Sequence, residues 1–118
     1  MTDHATPAVG EDVLVVLCTA PEADAGRLAD LLVERRLAAC VGLVGPIESR
    51  FHWEGRIDTA REIQLVAKTT AARFAELRDV LAEAHPYDVP EILALPVVAG
   101  LPAYVQWLTD STRPSAGE

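Results

Sequence analysis

The 118-residue chain lacks several features that mark common classes of protein. No segment approaches the roughly 20 consecutive apolar residues that a helix needs to cross a bilayer. Ten lysines and arginines are outnumbered by eighteen acidic residues, which gives a formal net charge of −8. Because an acidic protein repels the phosphate backbone, nucleic acid is not an expected partner. A membrane partner is not expected either.

Cysteine is also scarce, and the two cysteines, Cys18 and Cys40, form neither a CxxC zinc pair nor a disulfide framework. The first twelve residues, MTDHATPAVGED, have no basic start and no apolar signal core. We therefore expect a cytoplasmic protein. The GxSxG, P-loop, HExxH and dinucleotide signatures are absent from the sequence. We predict that the protein is not an enzyme and uses no organic cofactor.

Hydrophobic residues make up 50% of the chain, which is typical of a globular domain. We place this domain at residues 12–110, between a flexible N-terminal segment (1–11) and a flexible tail (111–118). The apolar spacing predicts a strand at 13–18, followed by a helix from Pro21. A second strand begins at about residue 38, is interrupted at Gly45-Pro46, and leads through a hairpin turn at Glu54-Gly55 to a return strand at 62–70. A helix that ends before Pro86, a strand at 91–98 and a short helix from Pro102 complete the order.

This order of elements predicts an α+β fold, the ferredoxin-like β-α-β-β-α-β arrangement, with an extended hairpin and a short C-terminal helix. Two helices cover only one face of such a sheet. The runs VLVVLC (13–18) and EILALPVV (91–98) are apolar at successive positions, so both of their faces need cover. The hairpin also carries Phe51 and Trp53 on a ribbon that is marginal in water by itself. We therefore expect the chain to self-associate; a hairpin folded over its own sheet is the alternative.

Cys18 and His85 are the candidates for chemistry. Cys18 ends the first strand beside the turn into a helix, where the helix N-terminus would lower the pKa of the thiol, although a small apolar cysteine in a strand usually serves packing. His85 begins the loop HPYDVPE (85–91), which two prolines should stiffen. A histidine and a carboxylate there could form a metal ligand and its support, or His85 could simply end the helix.

Other polar and aromatic positions have simpler explanations. Cys40 lies in a strand and is expected to pack in the core. His52 and Trp53 lie near the hairpin tip, where a role in an interface is expected. Lys68 lies opposite the apolar positions of its strand and could meet an anionic ligand or Glu91, or face solvent.

Five ordered segments resemble the CutA family of divalent-cation tolerance proteins: LCTAP (17–21), RRLAACV (35–41), HWEGRI (52–57), KTT (68–70) and HPYDVPEI (85–92). Tyr104 and Trp107, in YVQWL, also resemble that family. The resemblance implies a ferredoxin-like homotrimer, related in architecture to the PII signalling proteins, with Phe51, Trp53 and Trp107 at subunit interfaces.

The resemblance also implies a role in tolerance of copper or another divalent metal ion, with Cys18 and His85 as the metal ligands. The alternative is a PII-like sensing or scaffolding trimer with no physiological metal. Its intersubunit cleft, near Lys68, Tyr87, Glu91 and Cys40, would hold a small anion or metabolite. A hydrolase that uses Cys18 and His85, and a trimer that acts only through partner contacts, are further alternatives.

Overall fold

The computed structural model describes residues 12–114 of the chain, and seven elements of secondary structure lie within this range. They are β1 (Val13–Ala20), α1 (Glu22–Glu34), β2 (Cys40–Trp53), β3 (Arg56–Thr70), α2 (Ala71–Ala84), β4 (Leu93–Pro96) and α3 (Pro102–Ser111). The predicted N-terminal segment and the last four residues of the predicted tail lie outside this range. No helix within it is long and apolar enough to cross a membrane.

The four strands form one antiparallel sheet in the order β2-β3-β1-β4. This confirms the predicted α+β, ferredoxin-like fold. Alternate residues of β1 point toward the helices, and Val16, Cys18 and Ala20 are buried there. The core is completed by leucines of the helices and of the loop after α1 that are almost inaccessible to solvent: Leu28, Leu32, Leu37, Leu77 and Leu81.

The opposite face of the sheet is also apolar, as predicted, and it is only partly covered. The register pairs Leu17 with Leu93 and Val15 with Leu95, so these four side chains share this face. Leu93 is 58% exposed and Leu95 is 49% exposed. We call this surface the second face.

The hairpin is longer and more regular than predicted. β3 begins at Arg56, and its ladder with β2 runs from the Cys40–Lys68 pair to the Trp53–Arg56 pair. The predicted interruption at Gly45-Pro46 is instead a shift in register between Val44 and Ile47 within one strand. β2 tolerates Pro46 because it is an edge strand, where a missing backbone N–H need not break the ladder.

The turn at Glu54-Gly55 forms as predicted, with positive φ at both residues. β4 is shorter than predicted because its ladder with β1 runs from the Leu14–Pro96 pair to the Leu17–Leu93 pair in the described part of the chain.

The C-terminal helix is anchored by Arg36, whose guanidinium donates hydrogen bonds to the backbone oxygens of Asp110 and Arg113. Ser111 is the last residue of α3, and Thr112 is buried. The contacts that hold α3 therefore extend just beyond its last turn, and the predicted domain end at residue 110 stays a prediction.

Candidate functional site

A cavity of about 820 Å³ lies between the hairpin and the loop that follows α2. Its described lining combines aromatic rings with four carboxylates, and its basic side chains are one arginine and one histidine. The lining residues are Thr19, Ser49, Arg50, Phe51, His52, Trp53, Asp58, Glu62, Tyr87, Asp88, Val89 and Glu91. We call this space the acidic cleft. Its composition favours a positively charged occupant over an anion.

Glu62 is the most deeply buried carboxylate of the acidic cleft, at 5% exposure. Its Oε2 accepts a hydrogen bond of 2.8 Å from the hydroxyl of Tyr87. Within residues 12–114, no lysine, arginine or histidine forms an ion pair with it. A buried carboxylate that lacks a counter-ion is costly unless a cation joins it.

The sequence did not single out Glu62. It is one of the polar residues in a strand whose polar and apolar residues alternate, and such a residue is expected to face solvent. Its hydrogen-bond partner, Tyr87, lies 25 positions away, and no local pattern connects the two.

Tyr87 is held in place by the loop that carries it. Its backbone N–H donates to Nδ1 of His85 at 3.1 Å, and the two rings lie 4.9 Å apart. Burial, followed by the hydrogen bond to Glu62, raises the pKa of Tyr87 to about 12. The hydroxyl therefore stays protonated at neutral pH and remains a donor to the carboxylate.

His85 is buried at the end of α2, and both of its ring nitrogens are occupied. Nε2 lies 2.8 Å from the backbone oxygen of Thr19, which can only accept, so Nε2 carries the proton. Nδ1 accepts from the N–H of Tyr87, so its lone pair is used. This neutral ring links the end of α2 to β1 and leaves no free nitrogen for a metal ion.

Cys18 is 1% exposed in the helix-facing core. We expected a nearby helix N-terminus to lower its pKa, but burial raises it to about 12, with further contributions from the negative charges of Glu91 and Glu62. The expectation was wrong because β1 continues to Ala20 and α1 begins only at Glu22. Cys18 is therefore a protonated thiol within a strand. Neither a thiolate ligand nor a thiolate nucleophile is favoured there.

The residues present do not match the donor set of a metal site in one subunit. Residues 12–114 contain no group of three or more His, Cys, Asp and Glu side chains that could hold a metal ion. Copper binding by Cys18 and His85 stays a prediction, and it would require the thiol to lose its proton and the ring to give up a hydrogen bond.

The predicted intersubunit cleft residues fall into two groups. Tyr87 and Glu91 line the acidic cleft. Cys40 and Lys68 are instead paired with each other across β2 and β3 and are not among the described residues of that lining.

Cys40 is not the core residue that we predicted, because it lies half-exposed on the second face. Its Sγ lies 3.6 Å from the hydroxyl of Tyr104, and this hydrogen bond raises the pKa of Tyr104. The predicted interface residues Phe51, Trp53 and Trp107 are all exposed. Their role in an interface stays a prediction.

Comparison with known proteins identifies the family. The family model described as CutA1 divalent ion tolerance protein matches residues 14–111. The chain belongs to the CutA1 family. A divalent-cation tolerance protein CutA from Pectobacterium atrosepticum is 45% identical over 103 residues, which cover 86% of this chain and 94% of that protein.

Plant CutA proteins are similar as well. The chloroplastic CutA protein of Arabidopsis thaliana is 42% identical over 85% of this chain, which spans 56% of that longer protein. The crystal structure of CutA1 from Oryza sativa superposes with a TM-score of 0.86 at 38% identity and covers 92% of this chain and 100% of that one. The CutA1 fold is therefore shown by sequence and by structure together.

Proposed function

We propose that this CutA1 protein acts in tolerance of divalent cations, without catalysis, by binding them reversibly in the acidic cleft of a homotrimer. Membership of the family supports the role in tolerance. The observation that carries the choice of site is the Glu62 carboxylate, which is buried in the cleft and, among residues 12–114, has one hydroxyl partner and no counter-ion.

Oxygen donors distinguish this site from the predicted copper pair. The carboxylates of the cleft suit hard divalent cations, whereas copper favours deprotonated thiols and free imidazole nitrogens. Glu62 and Glu91 both line the cleft, and both act on the pKa of Cys18, so their negative potentials overlap. Because two carboxylates are too few ligands, water or a neighbouring subunit would complete the coordination.

The homotrimer is supported by the family resemblance and by the second face. Leu93 and Leu95 expose an apolar surface on one side of the sheet, and the hairpin exposes Phe51 and Trp53. Burial of these side chains by other copies of the chain would remove from water an area that the monomer leaves exposed.

Metal titration tests the site. Mn²⁺ and Cu²⁺ are titrated by calorimetry into the wild type, Glu62→Gln, Cys18→Ser and His85→Ala, with Glu83→Gln on the exposed side of α2 as the matched control. We expect Glu62→Gln to weaken binding by about tenfold, on the order of 1.4 kcal/mol, because it removes one charge and keeps the shape. Cys18→Ser and Glu83→Gln should bind like the wild type.

The competing prediction has a different outcome. If copper binding is lost in Cys18→Ser and His85→Ala while Glu62→Gln binds normally, the thiol and imidazole are the ligands and the cleft assignment is wrong.

A ligand-sensing trimer is the second candidate, and the aromatic lining of the acidic cleft favours it. Phe51, Trp53 and Tyr87 offer ring surfaces that a bare metal ion does not need. A thermal-shift screen in which organic cations, but not metal ions, raise the unfolding temperature would support this function.

A further inference from the structure

The Lys68-Thr69-Thr70 segment contains two buried threonines with different surroundings. Thr69 donates a hydrogen bond of 2.6 Å to the backbone oxygen of Leu37, which explains its burial. Thr70 is 3% exposed, and its hydroxyl has no hydrogen-bond partner within residues 12–114. A buried hydroxyl without a partner costs free energy, so Thr70 needs an explanation of its own.

Thr70 occupies the N-cap position of α2 without acting as a cap. An N-cap threonine normally accepts a hydrogen bond from the second or third amide of its helix. Here the Ala71 amide donates to the backbone oxygen of Asp12, and the Ala72 and Arg73 amides have no capping acceptor in the described part of the chain. Two amide donors and the positive end of a 14-residue helix are therefore directed to the place where Thr70 lies.

These donors open onto a second cavity, of about 880 Å³, between the start of α2 and α3. Its described lining includes Thr70, Ala72, Arg73 and Arg113, and it contains no aspartate or glutamate. That composition stands out in a chain with a net charge of −8. We call this space the basic pocket.

The two arginines contribute in different ways. The Arg73 guanidinium donates to the backbone oxygens of Arg35 and Arg36 and forms an ion pair of 3.2 Å with Glu76, so few of its donors are left and its charge is partly balanced. Arg113 is largely exposed, and its ion pair with Asp110 is 3.3 Å long. An exposed pair of this kind is weak, so Arg113 can turn to an anion at little cost.

The remaining lining is aliphatic. Val13, Val97, Val98 and Val105 line the basic pocket beside the polar corner. A ligand that matches both parts has a small anionic head and a short apolar body.

We propose that the basic pocket binds a short-chain aliphatic carboxylate. The carboxylate accepts hydrogen bonds from the Thr70 hydroxyl and from the Ala72 and Arg73 amides, and its carbon chain packs against the valines. This site is separate from the acidic cleft: it differs in charge and in lining, and it does not depend on the proposed function.

Amide spectra of the ¹⁵N-labelled protein test the proposal directly. Sodium butyrate, sodium phosphate and sodium chloride are titrated at equal ionic strength into the wild type, Thr70→Val, Thr70→Ser and Arg113→Gln. We expect butyrate to give saturable shifts of the Ala72 and Arg73 amides, with phosphate and chloride weaker. Thr70→Val should weaken butyrate binding about fivefold, because one hydrogen bond is lost, and Thr70→Ser should restore it.

Matched controls lie away from the pocket. Thr59→Val, on the exposed hairpin, should bind like the wild type, and so should Arg78→Gln, which breaks a comparable exposed ion pair on α2. Absence of saturable shifts at Ala72 and Arg73 in the wild type, or equal affinity of Thr70→Val and Thr70→Ser, overturns the proposal. Tighter binding of phosphate than of butyrate overturns the assignment to an aliphatic carboxylate.

Discussion

Cys18 gives the clearest case of a side chain whose chemistry is set by its surroundings. Burial and the charges of Glu91 and Glu62 raise the pKa of its thiol from 9.0 to about 12. Between these values the unfolded chain releases a proton that the folded chain retains. The free energy of unfolding should therefore be unaffected by this thiol below pH 9 and fall as the pH rises above it.

We predict that Cys18→Ala reduces this alkaline loss of stability. The free energy of unfolding is measured by urea denaturation at several pH values between neutrality and pH 11. Val16→Ala, another truncation in the same buried face of β1, should lower stability equally at every pH. Parallel pH profiles for the wild type and Cys18→Ala would contradict the raised pKa.

Only part of the candidate site could be predicted from the sequence, and individual residues show why. The sequence singles out the loop that begins at His85, and Tyr87 and Glu91 of that loop line the acidic cleft, while their role toward a ligand stays a prediction. The occupation of both His85 nitrogens was not predictable, because one partner is the backbone oxygen of Thr19, 66 residues away in sequence. Glu62 was missed for the same reason: its burial depends on tertiary contact and not on its neighbours in the chain.

Elements of the fold were predicted more fully than contacts, because they follow from local periodicity. The order of strands and helices and the turn at Glu54-Gly55 were correct. The extent of β3 and the continuity of β2 were not predicted correctly. The hairpin ladder is stabilised by pairing between strands, so a polar or glycine-containing segment can join it without an apolar pattern.

Two glycines provide a test within elements. Gly55 has φ of +79° in the hairpin turn, where a side chain is strained, whereas Gly26 lies in α1 with open space around its Cβ position. We predict that Gly55→Ala lowers the free energy of unfolding by about 1 kcal/mol, and that Gly26→Ala raises it by about 0.5–1 kcal/mol. Urea denaturation measures both. Equal effects of the two substitutions would show that the turn conformation differs from the one described.

Across the described part of the molecule, residues 12–114, the helices leave part of the apolar second face uncovered. We predict that the wild type sediments as a homotrimer at micromolar concentration, and that Leu95→Glu, which places a charge on the second face, sediments as a monomer. Val33→Glu provides the control, because Val33 is similarly exposed but lies on α1. A folded monomeric wild type, or a trimeric Leu95→Glu, would contradict the proposed assembly.

The two cavities give the molecule an uneven distribution of charge. Carboxylates collect beside the hairpin, and the arginine-lined pocket lies beside α3. Higher ionic strength should therefore weaken ligand binding at both sites, since salt screens the attraction of the acidic cleft for a cation and of the basic pocket for an anion.

The positions of β2 and β4 at the edges of the sheet have a consequence for polymerisation of the chain. Each of these strands pairs with one neighbour within the described chain, so each presents a free row of backbone donors and acceptors. Because the two rows differ in sequence and length, copies that joined through them would add head to tail. Such a series either closes on itself and stops or continues as a filament. Substitutions that alter the curvature of the hairpin, at Gly45 above all, are therefore the ones in which to look for polymerisation.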